Sequence, residues 1–153
     1  MKYLRKMALI VASSPFLLLA SCDNEDTWQK MVPLNKNEVK VSANSTETIS
    51  TSKKGTLKIT DILLRDTINK QTFSVYNPTT DTVVVDMNGR DAGRVIYHDG
   101  NIEKIVIDGW VEITKTSKSS FTVKGIGNSS NYGYTMQVGV SRAKYNPSHI
   151  LIK

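Results

Sequence analysis

From position 38 onward, the sequence alternates apolar and polar residues with a period of two, and turn signals interrupt it at short intervals. The clearest stretch is 134–140, in which every second residue is apolar. Successive side chains of a strand point to opposite faces, so this pattern is typical of strands with one buried face. No stretch shows the helical crossover of ten or more residues that a parallel α/β fold needs. The pattern predicts an all-β chain.

Two hairpin signals stand in the middle of the chain, Asn88-Gly89 and Asp99-Gly100. They separate the alternating segments 81–87, 93–98 and 101–108. Such dipeptides tolerate the positive φ angles of a type I′ turn, whose twist matches that of paired strands. The spacing therefore predicts a three-stranded antiparallel meander.

The remaining segments complete the predicted fold. Strands are expected at 38–42, 46–51, 56–60, 71–76, 110–114, 120–126, 132–140 and 148–153, with turns at Lys53-Lys54-Gly55 and Asn77-Pro78. Segment 62–68 fits either a strand with a bulge or a short helical turn. About eight to ten short strands with one-sided alternation predict an antiparallel Ig-like β-sandwich. The predicted core-facing residues are Val83, Val85, Met87, Ile105, Ile107, Val111, Ile113, Phe121, Val123, Tyr134, Met136, Val138, Val140, Ile150 and Ile152.

The N-terminus has the pattern of an export signal. A basic start (Lys2, Arg5, Lys6) precedes an apolar run over 7–20, which is too short to span a bilayer. Its last residues, "LASC", resemble the lipobox of bacterial lipoproteins. The resemblance implies cleavage between Ser21 and Cys22 and attachment of diacylglycerol to the Cys22 sulfur. An ordinary signal peptide with a chance cysteine is the alternative.

Acidic residues follow the cysteine directly. Asp23, Glu25 and Asp26 are similar to the acidic signal that sends lipoproteins to the cell surface in Bacteroidetes. The resemblance implies a protein of the outer membrane, anchored by lipid and displayed outward, because two acyl chains suffice for stable anchoring. The alternative is a charged tether on the periplasmic face. We therefore expect a signal peptide at 1–21, a lipidated tether at 22–37 and a β-sandwich domain at 38–153.

Charge and cysteine content limit the function further. Removal of residues 1–21 leaves 17 basic and 14 acidic residues, a net charge of +3. Lysines on exposed strand positions explain this excess, and no pattern of stacked aromatic and arginine residues indicates nucleic-acid binding. Cys22 is the only cysteine, so no disulfide can form within the chain. The domain must be held together by its core.

The C-terminal third resembles the second half of a BACON domain. In this part Trp110 precedes an alternating strand, a second strand runs from Phe121 to 125, and Asn128 leads into the long strand 134–140 before a final strand at 149–152. Gly55-Thr56 is similar to the family's opening, whereas Tyr132-Gly133 replace its usual basic residue. The resemblance implies an Ig-like sandwich that binds glycans or mucins, or that serves as a spacer.

Signals of catalysis are absent from the sequence. His98 and His149 have no nucleophile elbow beside them and no cysteine or close acidic pair that would complete a metal site. Asp61 and Asp66 could be read as a glycosidase pair, but aspartates near bends are usually turn formers. We expect a non-catalytic protein without metal or cofactor.

Aromatic residues supply the candidates for ligand binding. Trp110 is out of phase with its strand, so it either covers the edge of the core or is exposed. Tyr132 lies in the predicted loop 129–134, and Tyr97, Tyr134 and Tyr145 complete the set from which a sugar-stacking face could be built. The partner is then a glycan or surface protein. The alternative is a structural component of an envelope assembly, in which a partner chain pairs with an edge strand.

One modification is suggested by a second resemblance. The segments Asp66-Thr67-Ile68 and Asp81-Thr82-Val83 are similar to the short O-glycosylation motif of Bacteroidetes exported proteins. The resemblance implies that Thr67 and Thr82 carry glycans.

Overall fold

A computed structural model describes residues 30–52, 55–76, 78–128 and 131–153. Several predictions concern residues outside this described part of the chain. They are those for residues 1–29, with Ser21, Cys22, Asp23, Glu25 and Asp26, and those for Lys53, Lys54, Asn77, Ser129 and Ser130. Eleven strands occupy most of the described chain, and none of its residues forms an α-helix. They are β1 (Glu38–Val39), β2 (Thr46–Ser50), β3 (Lys58–Asp66), β4 (Gln71–Tyr76), β5 (Thr82–Met87), β6 (Arg90–His98), β7 (Asn101–Ile107), β8 (Val111–Ser117), β9 (Ser120–Gly125), β10 (Tyr134–Ser141) and β11 (Ser148–Ile152).

The strands form two sheets. One has five strands in the order β1-β11-β10-β3-β4, and the other has six in the order β2-β9-β8-β7-β6-β5. All pairs are antiparallel except β1 and β11, which run parallel with Val39 opposite Ile152. This is the predicted all-β sandwich.

The core lies between the sheets, where the alternating residues of both meet. Along β10, Met136, Val138 and Val140 are fully buried, as the alternation predicts. Of the predicted core residues all are buried except Val83 and Tyr134, which pack against the core while partly exposed. Both are close to strand ends, where the two sheets cover a side chain less completely.

The predicted meander is confirmed as β5, β6 and β7. Asn88 and Gly89 have φ angles of 62° and 69°, and Asp99 and Gly100 have φ angles of 46° and 78°. Two consecutive positive φ angles are the requirement of a type I′ turn. The hairpin dipeptides thus form the turns that their chemistry favours.

Segment 62–68, left open between two structures, belongs to the nine-residue strand β3 as far as Asp66, and Thr67 and Ile68 begin the turn that follows. Its pairing with β10 shifts between Gly139, opposite Asp61, and Val140, opposite Ile59. A bulge of this kind places one additional residue on the longer strand. Because of it, Ile59 and Ile62 both face the core although three positions separate them.

The described part of the predicted tether lies against the sandwich. Val32 is 3% exposed, and its N–H donates to Asn146 O at 3.2 Å. Asn35 N–H donates to Ser50 O at 3.0 Å. Within the described residues, the contacts of the folded domain therefore extend back at least to Lys30, whose carbonyl accepts from Asn146 N–H at 2.9 Å, ahead of the boundary expected at 38.

The two ends of the sandwich differ in which connections they carry. The connections after β2, β4, β6, β8 and β10 lie at one end, which we call the entry end because residues 30–37 join it through Asn146 and Ser50. The connections after β1, β3, β5, β7 and β9 lie at the opposite end, which we call the far end. A chain that emerges from the N-terminal segment therefore meets the entry end first.

Candidate functional site at the far end

At the far end, three aromatic rings in successive contact form a row that extends from the core to the surface. Trp110, in the turn between β7 and β8, is fully buried, and its ring centroid is 5.7 Å from that of Tyr134 at an interplanar angle of 59°. Tyr134 stacks in turn on Tyr132, with centroids 5.9 Å apart and 19° between the planes. Tyr132 is 37% exposed. The outermost ring is thus supported from below by two others.

Two glycines, Gly109 and Gly127, lie against the Tyr132 ring. Gly109 has a φ of +70°, and a Cβ atom there would lie 2.6 Å from the Tyr132 hydroxyl. A Cβ atom on Gly127 would lie 2.2 Å from Gly109 O. These two glycines allow the connection between β9 and β10 to lie close to the turn between β7 and β8.

The loop is also held from the other sheet. The Thr67 hydroxyl and backbone N–H both donate to Gly133 O, at 2.7 and 2.9 Å. The adjacent turn is organised by Asp66, whose carboxylate accepts from the N–H groups of Ile68 and Asn69 and from the Asn69 side-chain amide. The turn between β3 and β4 therefore fixes the position of the residue that follows Tyr132.

A depression of about 270 Å³ adjoins the rings. It is lined by Met87, Arg90, Asp91, Ala92, Asp108, Tyr132 and Tyr134. Asp91 forms an ion pair with Arg94, and the hydrogen bond from that guanidinium lowers the pKa of Asp91. Arg90 and Asp108 form no ion pair with any described residue, although the Arg90 charge acts on Asp66 and the Asp108 charge acts on Arg94.

Ionisation states at the site follow from its hydrogen bonds. Those from Asn69, backbone first, lower the pKa of Asp66, although burial opposes them. Burial, with the nearby charge of Asp66, raises the pKa of Tyr134. At neutral pH the site therefore presents a protonated phenol beside ionised carboxylates and a guanidinium.

This arrangement suits the binding of a polar molecule that has one apolar face. An exposed tyrosine ring packs against C–H groups, while carboxylates and a guanidinium bond to hydroxyls around them. A pyranose ring has both kinds of surface.

The two aromatic residues singled out by the sequence have different positions. Tyr132 is at the site, as expected for a binding loop, whereas the indole of Trp110 is buried in the core and presents no ring to solvent. Of the alternatives for Trp110, covering the core edge is the one observed. Tyr97 and Tyr145 are partly buried against the core, and Tyr145 packs under Arg142 at the entry end, away from this site.

Among the candidate catalytic residues, the structure brings His149 close to Asp61 and joins neither His98 nor Asp66 to this pair. The His98 imidazole is 3.2 Å from its neighbour Asp99, and the His149 imidazole is 3.8 Å from Asp61. Asp61 and Asp66 are five residues apart on β3, so their side chains point to opposite faces. Asp66 forms the turn, which is the role that its type predicts.

Both threonines of the proposed glycosylation motif are exposed, Thr67 after β3 and Thr82 at the start of β5.

Within the described residues, no group of three or more His, Cys, Asp or Glu side chains could hold a metal ion. None of these residues belongs to a helix long and apolar enough to cross a membrane.

Arg90, Asp91 and Asp108 are site residues that the sequence analysis did not select. A signal for them existed, because they flank the turns after β5 and β7. In an alternating set of hairpins these turns lie at the same end as the connection that contains Tyr132.

The chain was compared with protein-family models, with curated proteins and with solved structures, and no significant match was found in any of the three.

Proposed function

We propose that this protein is a lipid-anchored, non-catalytic surface lipoprotein of Bacteroidetes type, with a BACON-like sandwich that binds a glycan at its far end. The observation that carries the proposal is the stack of Tyr132 on Tyr134 beside the unpaired Arg90 and Asp108. Exposed aromatic rings with polar groups around them are the usual means of recognising a sugar.

The position of the site supports the same proposal. The segment that leads back towards Cys22 joins the sandwich at the entry end, and the stacked tyrosines lie at the far end. A lipid on Cys22 would therefore place the binding site away from the membrane, where a ligand outside the cell can reach it. The burial of Trp110 between the two sheets supports the Ig-like sandwich that the BACON resemblance implies.

Two experiments test the two halves of the proposal. Protease shaving of intact cells, with a periplasmic marker and a Cys22→Ala variant as controls, tests display. Digestion of the domain while the marker survives supports it, and protection until lysis places the domain inside. A glycan array probed with the wild type, Tyr132→Ala and Tyr132→Phe tests binding. We expect the signal to be lost in Tyr132→Ala and largely kept in Tyr132→Phe.

A second candidate function is that of a structural component, and the edge of the six-stranded sheet favours it. Among the described residues, strand β5 pairs only with β6 and forms the edge of its sheet. It contains neither lysine nor proline, and its protection is limited to Asp86 and the bulge at Val85 and Asp86. Val84 on this strand is 47% exposed. A partner that adds a strand to β5 would use this edge.

A further inference from the structure

Basic side chains are concentrated at the entry end. Five of them form what we call the basic end: Lys30, Lys58, Lys118, Arg142 and Lys144. Backbone contacts bring them together, since Lys58 pairs with Ser141 directly before Arg142. Leu57 N–H, next to Lys58, donates to Lys118 O at 2.7 Å, and Asn146 N–H donates to Lys30 O at 2.9 Å.

These charges are not neutralised within the described part of the chain. None of the four lysines of the basic end forms an ion pair there, whereas Lys36, Lys104 and Lys153 each pair with a glutamate. The Nε and Nη1 atoms of Arg142 are buried without a hydrogen-bond partner, and its guanidinium lies over the Tyr145 ring at 5.1 Å. Arg142, like the four lysines, forms no ion pair with a described residue.

Apart from Asp61 on β3, which lies 3.8 Å from the His149 imidazole, the acidic residues of the entry end lie on other strands and connections. Asp81 and Asp99 belong to the connections of the meander, where Asp81 O accepts from Tyr97 N–H at 2.8 Å. Glu103 faces the half-buried Lys115, in a depression of about 330 Å³ that Lys118 also lines. The positive charge is therefore concentrated on the side where β3 and β10 meet the connection after β8.

Apolar surface and chain length complete the picture. Met31, next to Lys30, is 55% exposed and borders a groove of about 550 Å³ with Pro33 and Leu34. Lys30 follows Cys22 by eight residues. Eight residues span at most about 28 Å, which limits how far the entry end can move from a lipid-bound Cys22.

We propose that the basic end docks on anionic lipid headgroups of the membrane that holds Cys22, so that the sandwich stands with its far end away from the lipid. The proposal rests on the lipid anchor proposed above. Basic residues near an anionic surface are attracted within about one Debye length, about 8–10 Å at physiological salt. The connection to Cys22, at most about 28 Å long, allows the basic end to come within that distance, and Met31 adds an apolar side chain that can enter the interface.

The test uses the full chain with its acyl anchor, reconstituted in vesicles that contain a headgroup-linked quencher. Ala143→Cys labels the entry end and Ala43→Cys labels the far end, both at exposed positions. In mixed phosphatidylglycerol and phosphatidylcholine vesicles we expect about fivefold stronger quenching of the label at 143 than of the label at 43. The difference should disappear in pure phosphatidylcholine and at about 1 M salt, where the Debye length is about 3 Å.

Matched charge reversals test the residues. Lys118→Glu with Lys144→Glu should lower partition onto the anionic vesicles at least about tenfold in a form with Cys22→Ala. Lys40→Glu with Lys70→Glu changes the net charge equally at the far end and should have little effect. Equal quenching of the two labels, or equal losses in the two double variants, would overturn the docking proposal.

Failure of the anchor gives a different result. In that case the unmodified chain does not float with phosphatidylcholine vesicles, and the proposed lipidation is wrong. Docking is then judged on the anionic vesicles alone. Flotation that depends on Lys118 and Lys144 supports it, and no flotation overturns it.

Discussion

The ring of Tyr132 lies parallel to that of Tyr134 within 19°, at a centroid distance of 5.9 Å, and only the outer ring is substantially open to solvent. The inner ring is fixed by its contact with the buried Trp110. The three rings therefore divide by burial: Trp110 belongs to the core, Tyr134 is partly exposed, and Tyr132 is the outermost.

This division predicts that Tyr132 and Trp110 respond differently to truncation. Tyr132→Ala should abolish glycan binding and change the free energy of unfolding by about 1 kcal/mol or less, because the ring is partly exposed. Trp110→Ala should destabilise the domain by about 3–5 kcal/mol, because a fully buried ring leaves a cavity. Urea unfolding of both variants measures the difference, and similar losses would contradict the assigned roles.

Gly109 should control the site without touching the ligand. Gly109→Ala introduces a Cβ at a φ of +70° and 2.6 Å from the Tyr132 hydroxyl, so the ring has to move. Gly100→Ala is the matched control, since its φ is +78° and nothing lies within 4 Å of the added atom. Both variants should lose about 1–2 kcal/mol of stability from backbone strain. We expect only Gly109→Ala to weaken glycan binding. Equal binding by the two variants would argue against the idea that Gly109 positions the Tyr132 ring.

Asp66 should make stability depend on pH in the acid range. Its pKa is lowered from 3.8 in the folded state, so its contribution is present above about pH 4 and is lost as the pH falls through the folded pKa. In Asp66→Asn an amide group faces the Asn69 amide, and we expect a loss of about 1–2 kcal/mol at neutral pH. Unfolding curves at neutral and acid pH should show a smaller acid-dependent loss in the variant than in the wild type.

The free edge of β5 separates the two candidate functions. Val84→Lys places a charge on an exposed edge position and should leave stability within about 0.5 kcal/mol of the wild type. If the protein works by adding a partner strand, crosslinking in native membranes should recover fewer complexes from this variant. If glycan binding is the function, array binding by Val84→Lys should match the wild type.

Period-two alternation was sufficient to predict the sandwich, because one-sided burial leaves a direct trace in the order of residues. The type I′ turns were also predictable, because few residue types adopt positive φ at both central positions of a turn. The segments predicted at 56–60 and 62–68 both contribute to one strand, β3. This could not be predicted, because the bulge that joins them depends on the register with β10, a strand far away in sequence. Arg90 and Asp108 could not be selected from the sequence, because charged residues beside turns are common. Only in the folded chain do the connections after β5, β7 and β9 lie close together and bring these residues near Tyr132.

The parallel pairing of β1 with β11 has a kinetic consequence. Strand β11 lies between β1 and β10, so the five-stranded sheet can be completed only when residues 148–152 are available to strands made much earlier. Pairings this distant in sequence are slow to form. Because a chain is synthesised from its N-terminus, strands β1, β3, β4 and β10 all exist before their sheet can be closed, and the last strand to appear is the one that joins β1 to β10.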